Sequence, residues 1–177
     1  TNVAGRASAE WTLGAAEGEQ VLSVSVGDLE PVTVRATASV FHGRAVAVGD
    51  DFACALATGG EAYCWGSNII GQLGNGTVGD EMVTVPQPVE GSLSFDTLAA
   101  SGSHVCGLTA DGTVYCWGNN TSGESGSGAA GPPIVVPTAV QTALRFTQIS
   151  AEGHFVGSTC ALTAAGEAWC WGDNQFG

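Results

Sequence analysis

The stretch CGLTADGTVYCWGNN, residues 106–120, decides the fold. Ala110-Asp111-Gly112 reads as a three-residue hairpin loop, with glycine at the position that needs a left-handed backbone. Thr109 and Thr113 then close the hairpin. Counting outward, Leu108 faces Val114, Gly107 faces Tyr115 and Cys106 faces Cys116. If the closing pair is hydrogen-bonded, the cysteines fall on a non-hydrogen-bonded pair, where Cα atoms approach to about 4.5 Å. That distance lies at the near end of the roughly 4.4–6.8 Å that a disulfide accepts.

The chain writes this unit three times. CALATGGEAYCWGSN spans residues 54–68 and CALTAAGEAWCWGDN spans residues 160–174. The same count pairs Cys54 with Cys64 around Thr58-Gly59-Gly60, and Cys160 with Cys170 around Ala164-Ala165-Gly166. We expect three cross-strand disulfides, each contributing about 3 kcal/mol on the chain-entropy model. Reduced thiols packed as small core residues are the alternative. A zinc site is disfavoured because no close C-x-x-C pair exists to chelate the metal. Disulfides imply an oxidising compartment, so the expected location is extracellular or on a cell surface.

The copies begin at Cys54, Cys106 and Cys160, a period of 52 and then 54 residues. Such a period marks stacked supersecondary units. Each hairpin has one face bearing the disulfide with Leu56/Ala62, Leu108/Val114 or Leu162/Ala168. Its other face sets a small residue against an aromatic one: Ala55 with Tyr63, Gly107 with Tyr115, Ala161 with Trp169. Trp65, Trp117 and Trp171 fall on that aromatic face. A sheet apolar on both faces belongs between neighbours, and small-against-large pairing lets successive sheets interdigitate. A strand precedes each hairpin, at Arg44–Val48, Thr97–Ala100 and Phe146–Ala151. Another follows the long loop, at Thr84–Val89 and Ile134–Val140, and its prolines place it at a sheet edge. Four strands in about 50 residues is the geometry of a β-propeller blade.

These residues resemble the regulator of chromosome condensation repeat. The resemblance rests on HVCGLTADGTVYCWGNN, on GQLGNGT at residues 71–77, and on a G-x-x-G seen as Gly71/Gly74 and Gly123/Gly126. It spans Arg44 to Gly177 and implies four-stranded blades of a seven-bladed propeller. The paired cysteines look like the secreted bacterial branch of that family. About three blades are present: 44–96, 97–145 and a truncated 146–177. The third copy carries roughly three extra residues around Phe155 to Ser158. The chain is expected to be a piece of a longer protein, with open blade edges that invite association, another copy of the chain included.

Residues 1–40 differ in character. Glu10–Leu13, Gln20–Val26 and Val32–Ala38 read as strands with alternating apolar positions. The run resembles the closing strands of a bacterial immunoglobulin-like domain. Such a domain needs about seven strands, so its first half would lie upstream. Ser39–Gly43 reads as a linker.

Composition excludes several functions. The net charge is −13, with no lysine and four dispersed arginines (Arg6, Arg35, Arg44, Arg145). That balance opposes nucleic acid and anionic lipid, which both require basic surface. No apolar run is long enough for a membrane helix. Ser103-His104 with Asp111 lacks a nucleophile elbow, and Asp111 is explained by its turn. Asp50-Asp51 and residues 74–81 match no calcium loop. His104 reads as structural at a blade junction, since Phe52 takes its place in the first copy. Asn68, Asn120 and Asn174, each after Trp65-Gly66, Trp117-Gly118 or Trp171-Gly172, read as turn formers. Asn75, Asn119 and Asn120 head glycosylation sequons.

No catalytic residue, metal ligand or cofactor is therefore assigned. The expected function is a non-catalytic structural or protein-interaction module, binding an unknown protein through loops Ser67–Glu81 and Asn119–Pro133. Two alternatives come from the resemblance: an inhibitor or receptor propeller of the beta-lactamase-inhibitor kind, and a guanine nucleotide exchange factor. The loops hold no Trp or Tyr to serve as hot spots for the first. Acidity and disulfides oppose the second.

Overall fold

The structure, a computed structural model, describes residues 18–24, 32–38, 42–154 and 157–175. Its contacts divide the chain into two units, Thr1–Phe41 and His42–Gly177. In the first unit, β1 (Gly18–Val24) pairs antiparallel with β2 (Val32–Ala38), Val24 opposite Val32. The expected strand Glu10–Leu13 and the end of Gln20–Val26 lie outside the described residues.

The second unit is a row of antiparallel sheets. The first runs β3 (Gly43–Val48), β4 (Phe52–Ala57), β5 (Ala62–Asn68), β6 (Gly79–Pro88), with neighbours in sequence also neighbours in space. The second repeats this with β7 (Phe95–Ala100), β8 (His104–Thr109), β9 (Val114–Gly118) and β10 (Ile134–Ala139). The third comprises β11 (Phe146–Glu152), β12 (Ser158–Thr163) and β13 (Ala168–Gly172). Among the described residues no helix is long and apolar enough to cross a membrane.

Hairpin registers follow from turn chemistry. Thr109 N donates to Thr113 O at 3.0 Å, and Gly112 takes φ 80°. A Cβ on Gly112 would stand 2.9 Å from the Phe146 carbonyl oxygen. With that loop set, Cys106 opposes Cys116, as Cys54 opposes Cys64 and Cys160 opposes Cys170. All three pairs are disulfides with Cα atoms 4.1 Å apart, slightly closer than the expected separation.

Sheets pack by a fixed rule: the disulfide face of one covers the aromatic face of the next. Cys54, Leu56, Ala62 and Cys64 share a core with Phe95, Leu98, Val105 and Trp117. Cys106, Leu108, Val114 and Cys116 share one with Phe146 and Ala161, with Trp171 packed against it. Gly107 shows why a small residue stands opposite each aromatic. A Cβ there would lie 2.4 Å from the Phe95 ring, which also meets Tyr115 edge-on at 6.2 Å. Burying four such side chains at a junction contributes on the order of 6–12 kcal/mol before chain entropy is charged.

Two expectations are corrected. Both faces of every hairpin read as buried, yet Cys160, Ala168, Trp169 and Cys170 are exposed. A face is buried only by its neighbour, and among the described residues no sheet covers the third disulfide face. The outer strand of the first sheet was expected from Thr84, but β6 starts at Gly79. Two register shifts along the β5–β6 pairing let the strand keep contact from Pro88 back to Gly79, opposite Asn68. Of the third copy's extra residues, 155 and 156 lie outside the described residues, and Ser158 opens β12.

Titrating the native, unreduced chain with a thiol reagent is expected to recover no free sulfhydryl. Graded reductant is expected to open Cys160–Cys170 first, because the other four sulfurs are shielded from solvent. Peptide mapping after alkylation reads the order.

Candidate functional site

The repeated Trp-Gly-x-Asn builds one end of the sheets. Gly66, Gly118 and Gly172 take φ near 100°, which turns each chain against the preceding inter-strand turn. A Cβ at Gly118 would stand 2.6 Å from the Ser103 carbonyl oxygen, so only glycine fits. Ser67 N, Asn119 N and Asp173 N then donate to Asp51 O, Ser103 O and Gly157 O. The turns between the first two strands and the long loops after the third strands therefore share one end, here called the loop end.

Asparagine pins each long loop. Asn68 Oδ1 accepts from Leu73 N at 3.1 Å, and its Nδ2 donates to Thr77 O at 3.0 Å. Asn120 does the same with Ser125 N and Ala129 O. Tryptophan then locks sheet to sheet. Trp117 Nε1 donates to Gln72 O and Trp171 Nε1 to Glu124 O, both at 2.9 Å. Gly74 lies beneath Trp117, and Gly126 occupies the same place beneath Trp171, each with φ 62°. A Cβ at Gly74 would sit 2.8 Å from the indole. The expected partner loops are thus divided. Residues 71–74 are buried scaffolding, and the free surface is Ile69 before them and the residues from Gly76 onward.

Glu124 replaces Gln72 in the second loop and is fully buried. Its carboxylate accepts from Asn119 Nδ2 at 2.9 Å and Ser122 N at 2.7 Å. Asn119 and Asn120 are themselves buried, which leaves Asn75 as the more accessible sequon. Asn174 is exposed.

His104 joins two sheets. Its Nδ1 is hydrogen-bonded to Ser101 Oγ at 2.6 Å and its Nε2 to Thr159 Oγ1 of the next sheet at 2.7 Å. Burial pushes its pKa down to about 4, so the ring is neutral near pH 7. The Ser103-His104-Asp111 grouping is not assembled. Asp111 sits at the opposite, hairpin end, where the hydroxyls of Thr109 and Thr113 hold it below the usual carboxylate range.

A cleft of about 300 Å³ opens at the loop end, lined by Asp50, Asp51, Ile69, Ile70, Gln72 and His154, among others. Three turns meet beside it. Asp50 N donates to Gly102 O, and Gly102 N donates to Gly153 O at 2.7 Å. His154 Nδ1 reaches the Asp50 carboxylate, bridging the first and third repeats. A Cβ on Gly102 would collide with His154 O and Asp50 Oδ2. Sequence reading missed this meeting, because its partners lie about a hundred residues apart. Among the described residues no group of three or more His, Cys, Asp or Glu could hold a metal ion.

Comparisons agree with this geometry. The Regulator of chromosome condensation (RCC1) repeat matches residues 44–72, 95–124 and 154–177, and a second profile of that repeat matches residues 59–108. The chain is 31% identical to the RCC1 domain-containing protein RUG3, mitochondrial, of Arabidopsis thaliana, over 75% of this chain and 31% of that protein. It is 32% identical to the E3 ubiquitin-protein ligase HERC2 of Homo sapiens, over 70% of this chain but 3% of the ligase. The chain thus spans less than a third of the length of these relatives. Among solved structures, Prp20p of Saccharomyces cerevisiae, studied for its binding to Gsp1p and histones, superposes with TM-score 0.64. Identity there is 25%, over 82% of this chain and 35% of that one. Human WBSCR16 has TM-score 0.67 at 23% identity, over 80% of this chain and 35% of that one, and so shares the fold.

Two outcomes follow from the geometry. Gly74→Ala, at φ 62° under the Trp117 ring, is expected to cost about 1–3 kcal/mol in urea unfolding. His104 has a folded pKa below its unfolded value, so the unfolded chain binds the proton first as pH falls. Its contribution is full above about pH 6.5 and is lost toward pH 4, by about 3 kcal/mol. Urea midpoints for the parent and His104→Phe at pH 7 and pH 4.5 read this difference, the variant losing less.

Proposed function

Because the chain belongs to the Regulator of chromosome condensation (RCC1) repeat family, we propose that it is a non-catalytic protein-interaction scaffold working outside the cytosol. The three cross-strand disulfides carry this reading. A staple in every repeat adds stability only where thiols oxidise. The repeat's named side chains support the scaffold part. Trp117, Trp171, Asn68, Asn120 and His104 all hold loops or neighbouring sheets, and none presents a reactive group to a cavity. What remains to meet a partner is exposed surface, including residues 76–78 with the start of β6 to Met82, and the loop residues 128–130.

The sequence of residues 1–40 resembles the end of a bacterial immunoglobulin-like domain, and the antiparallel β1–β2 pair supports reading it as part of a stalk in a secreted bacterial protein. Exchange on a GTPase is the weaker reading. Gsp1p and histones are what Prp20p is described as binding, and this chain covers 35% of it. The ligase name likewise belongs to a protein matched over 3% of its length.

Antibody staining of unpermeabilised cells, together with thiol counting on the recovered protein, tests the proposal. Surface or medium signal with all six cysteines oxidised is expected. A cytosolic protein with six free thiols overturns it.

A further inference from the structure

Charge is distributed unequally between the two ends of the sheets. At the hairpin end, Arg44 donates to Phe95 O and lies 3.7 Å from Asp96. Arg145 also lies there, donating to Leu144 O, with its β-carbon close to Gly112. These arginines stand among Glu61, Asp96, Asp111 and Glu167, so that end is mixed. At the loop end, the exposed or half-exposed charged side chains are Asp50, Asp51, Asp80, Glu81, Glu152 and Asp173. His154 stands among them beside Asp50, and no lysine or arginine of the described residues in His42–Gly177 joins them. The chain has no lysine anywhere. A cation that neutralises this end must come from outside the described unit.

The cleft gives that charge a shape. Its floor is built from rigid parts. Gln72 is buried, with Oε1 accepting from Ile70 N at 2.9 Å and Nε2 donating to Ser67 Oγ. Ile69 stands half in solvent beside Ile70, forming an apolar wall. Asp50 and Asp51 line the same cleft, and Asp50 is already met by His154. Its volume lies at the small limit of the roughly 300–1,000 Å³ typical of ligand pockets, which suits one side chain rather than a larger molecule. Apolar wall plus carboxylate is the complement of a long cationic side chain, which buries its methylenes and keeps its charged head at the water boundary.

We infer that this cleft is the docking socket for a lysine or arginine side chain presented by a basic segment of the partner protein. The methylene stem lies along Ile69 and Ile70, and the cationic head meets Asp51 at the mouth. The acidic loop end steers the segment in, as complementary fields do. The inference rests on the scaffold reading and supplies its partner class. The backbone bonds linking the Asp50, Gly102 and Gly153 turns hold the socket's shape.

The test uses the oxidised chain with fluorescein-labelled octalysine, octa-arginine and fully acetylated octalysine, read by fluorescence anisotropy and by amide shifts in NMR. The two cationic peptides are expected to bind, with shifts centred on Asp51 and residues 67–72, and the acetylated peptide is not. Asp51→Asn is expected to weaken binding about five-fold, and Asp51→Lys by about ten-fold or more. Ile69→Ser, on an exposed side chain that leaves the fold intact, is expected to weaken it about three-fold. Glu167→Gln removes the same charge at the hairpin end and is expected to leave binding unchanged. Equal losses in Asp51→Asn and Glu167→Gln overturn the socket, since net charge alone then accounts for binding. Shifts at these amides with calcium chloride, and none with peptide, overturn it in favour of a divalent cation. Absence of peptide binding in a chain still displayed outside cells overturns the socket alone. A cytosolic, thiol-bearing chain overturns the scaffold reading whatever the peptides do.

Discussion

The first two sheets are each held by the tryptophan of the sheet that follows. Trp117 and Trp171 reach across a junction and donate to a loop carbonyl of the preceding repeat. That bond demands much of the receiving loop. The carbonyl must be free of its own loop's pairing, so Asn68 or Asn120 takes over the internal hydrogen bonds. The residue beneath the indole must lack a side chain, so Gly74 and Gly126 sit there in a left-handed conformation. The G-x-x-G, the Trp-Gly and the Asn of the repeat are thus parts of one joint, written at separate points of the chain.

The disulfides act on a different scale. Each closes only its own hairpin and crosses no junction. They limit the unfolded chain locally and present a compact apolar ridge on which the next sheet's aromatic face rests. Equivalent positions at the junctions differ between repeats. His104 stands where the first repeat has Phe52: Phe52 packs in the core between the first and second sheets, and His104 makes a two-ended hydrogen bond at the next boundary. Glu124 takes the place of Gln72, and a buried carboxylate is accepted because two donors meet it.

The loop end combines rigid and free parts. In each long loop the segment beneath the next sheet's tryptophan is structural, and residues on either side of it are exposed. Such loops on a rigid frame are where proteins place recognition. The cleft beside Asp50 and Asp51 belongs to this end, and its acidic rim continues the charge of the whole chain. At the hairpin end Arg44 and Arg145 are drawn into local contacts.

Sequence by itself determined whatever depends on near neighbours. The glycine at the third loop position sets the turn, and turn length sets the register. The cysteine pairing follows because its partners are ten residues apart. The period, the alternation of small and large residues and the edge prolines were legible for the same reason. Tertiary structure alone decided which distant groups meet: the indole of one repeat with Gln72 of another, and His154 with Asp50 across three repeats. It also decided that Cys160 and Cys170 are exposed while their counterparts are sealed. A repeated motif specifies its own hairpin, but burial depends on the sheet beside it, and that is a property of position in the row.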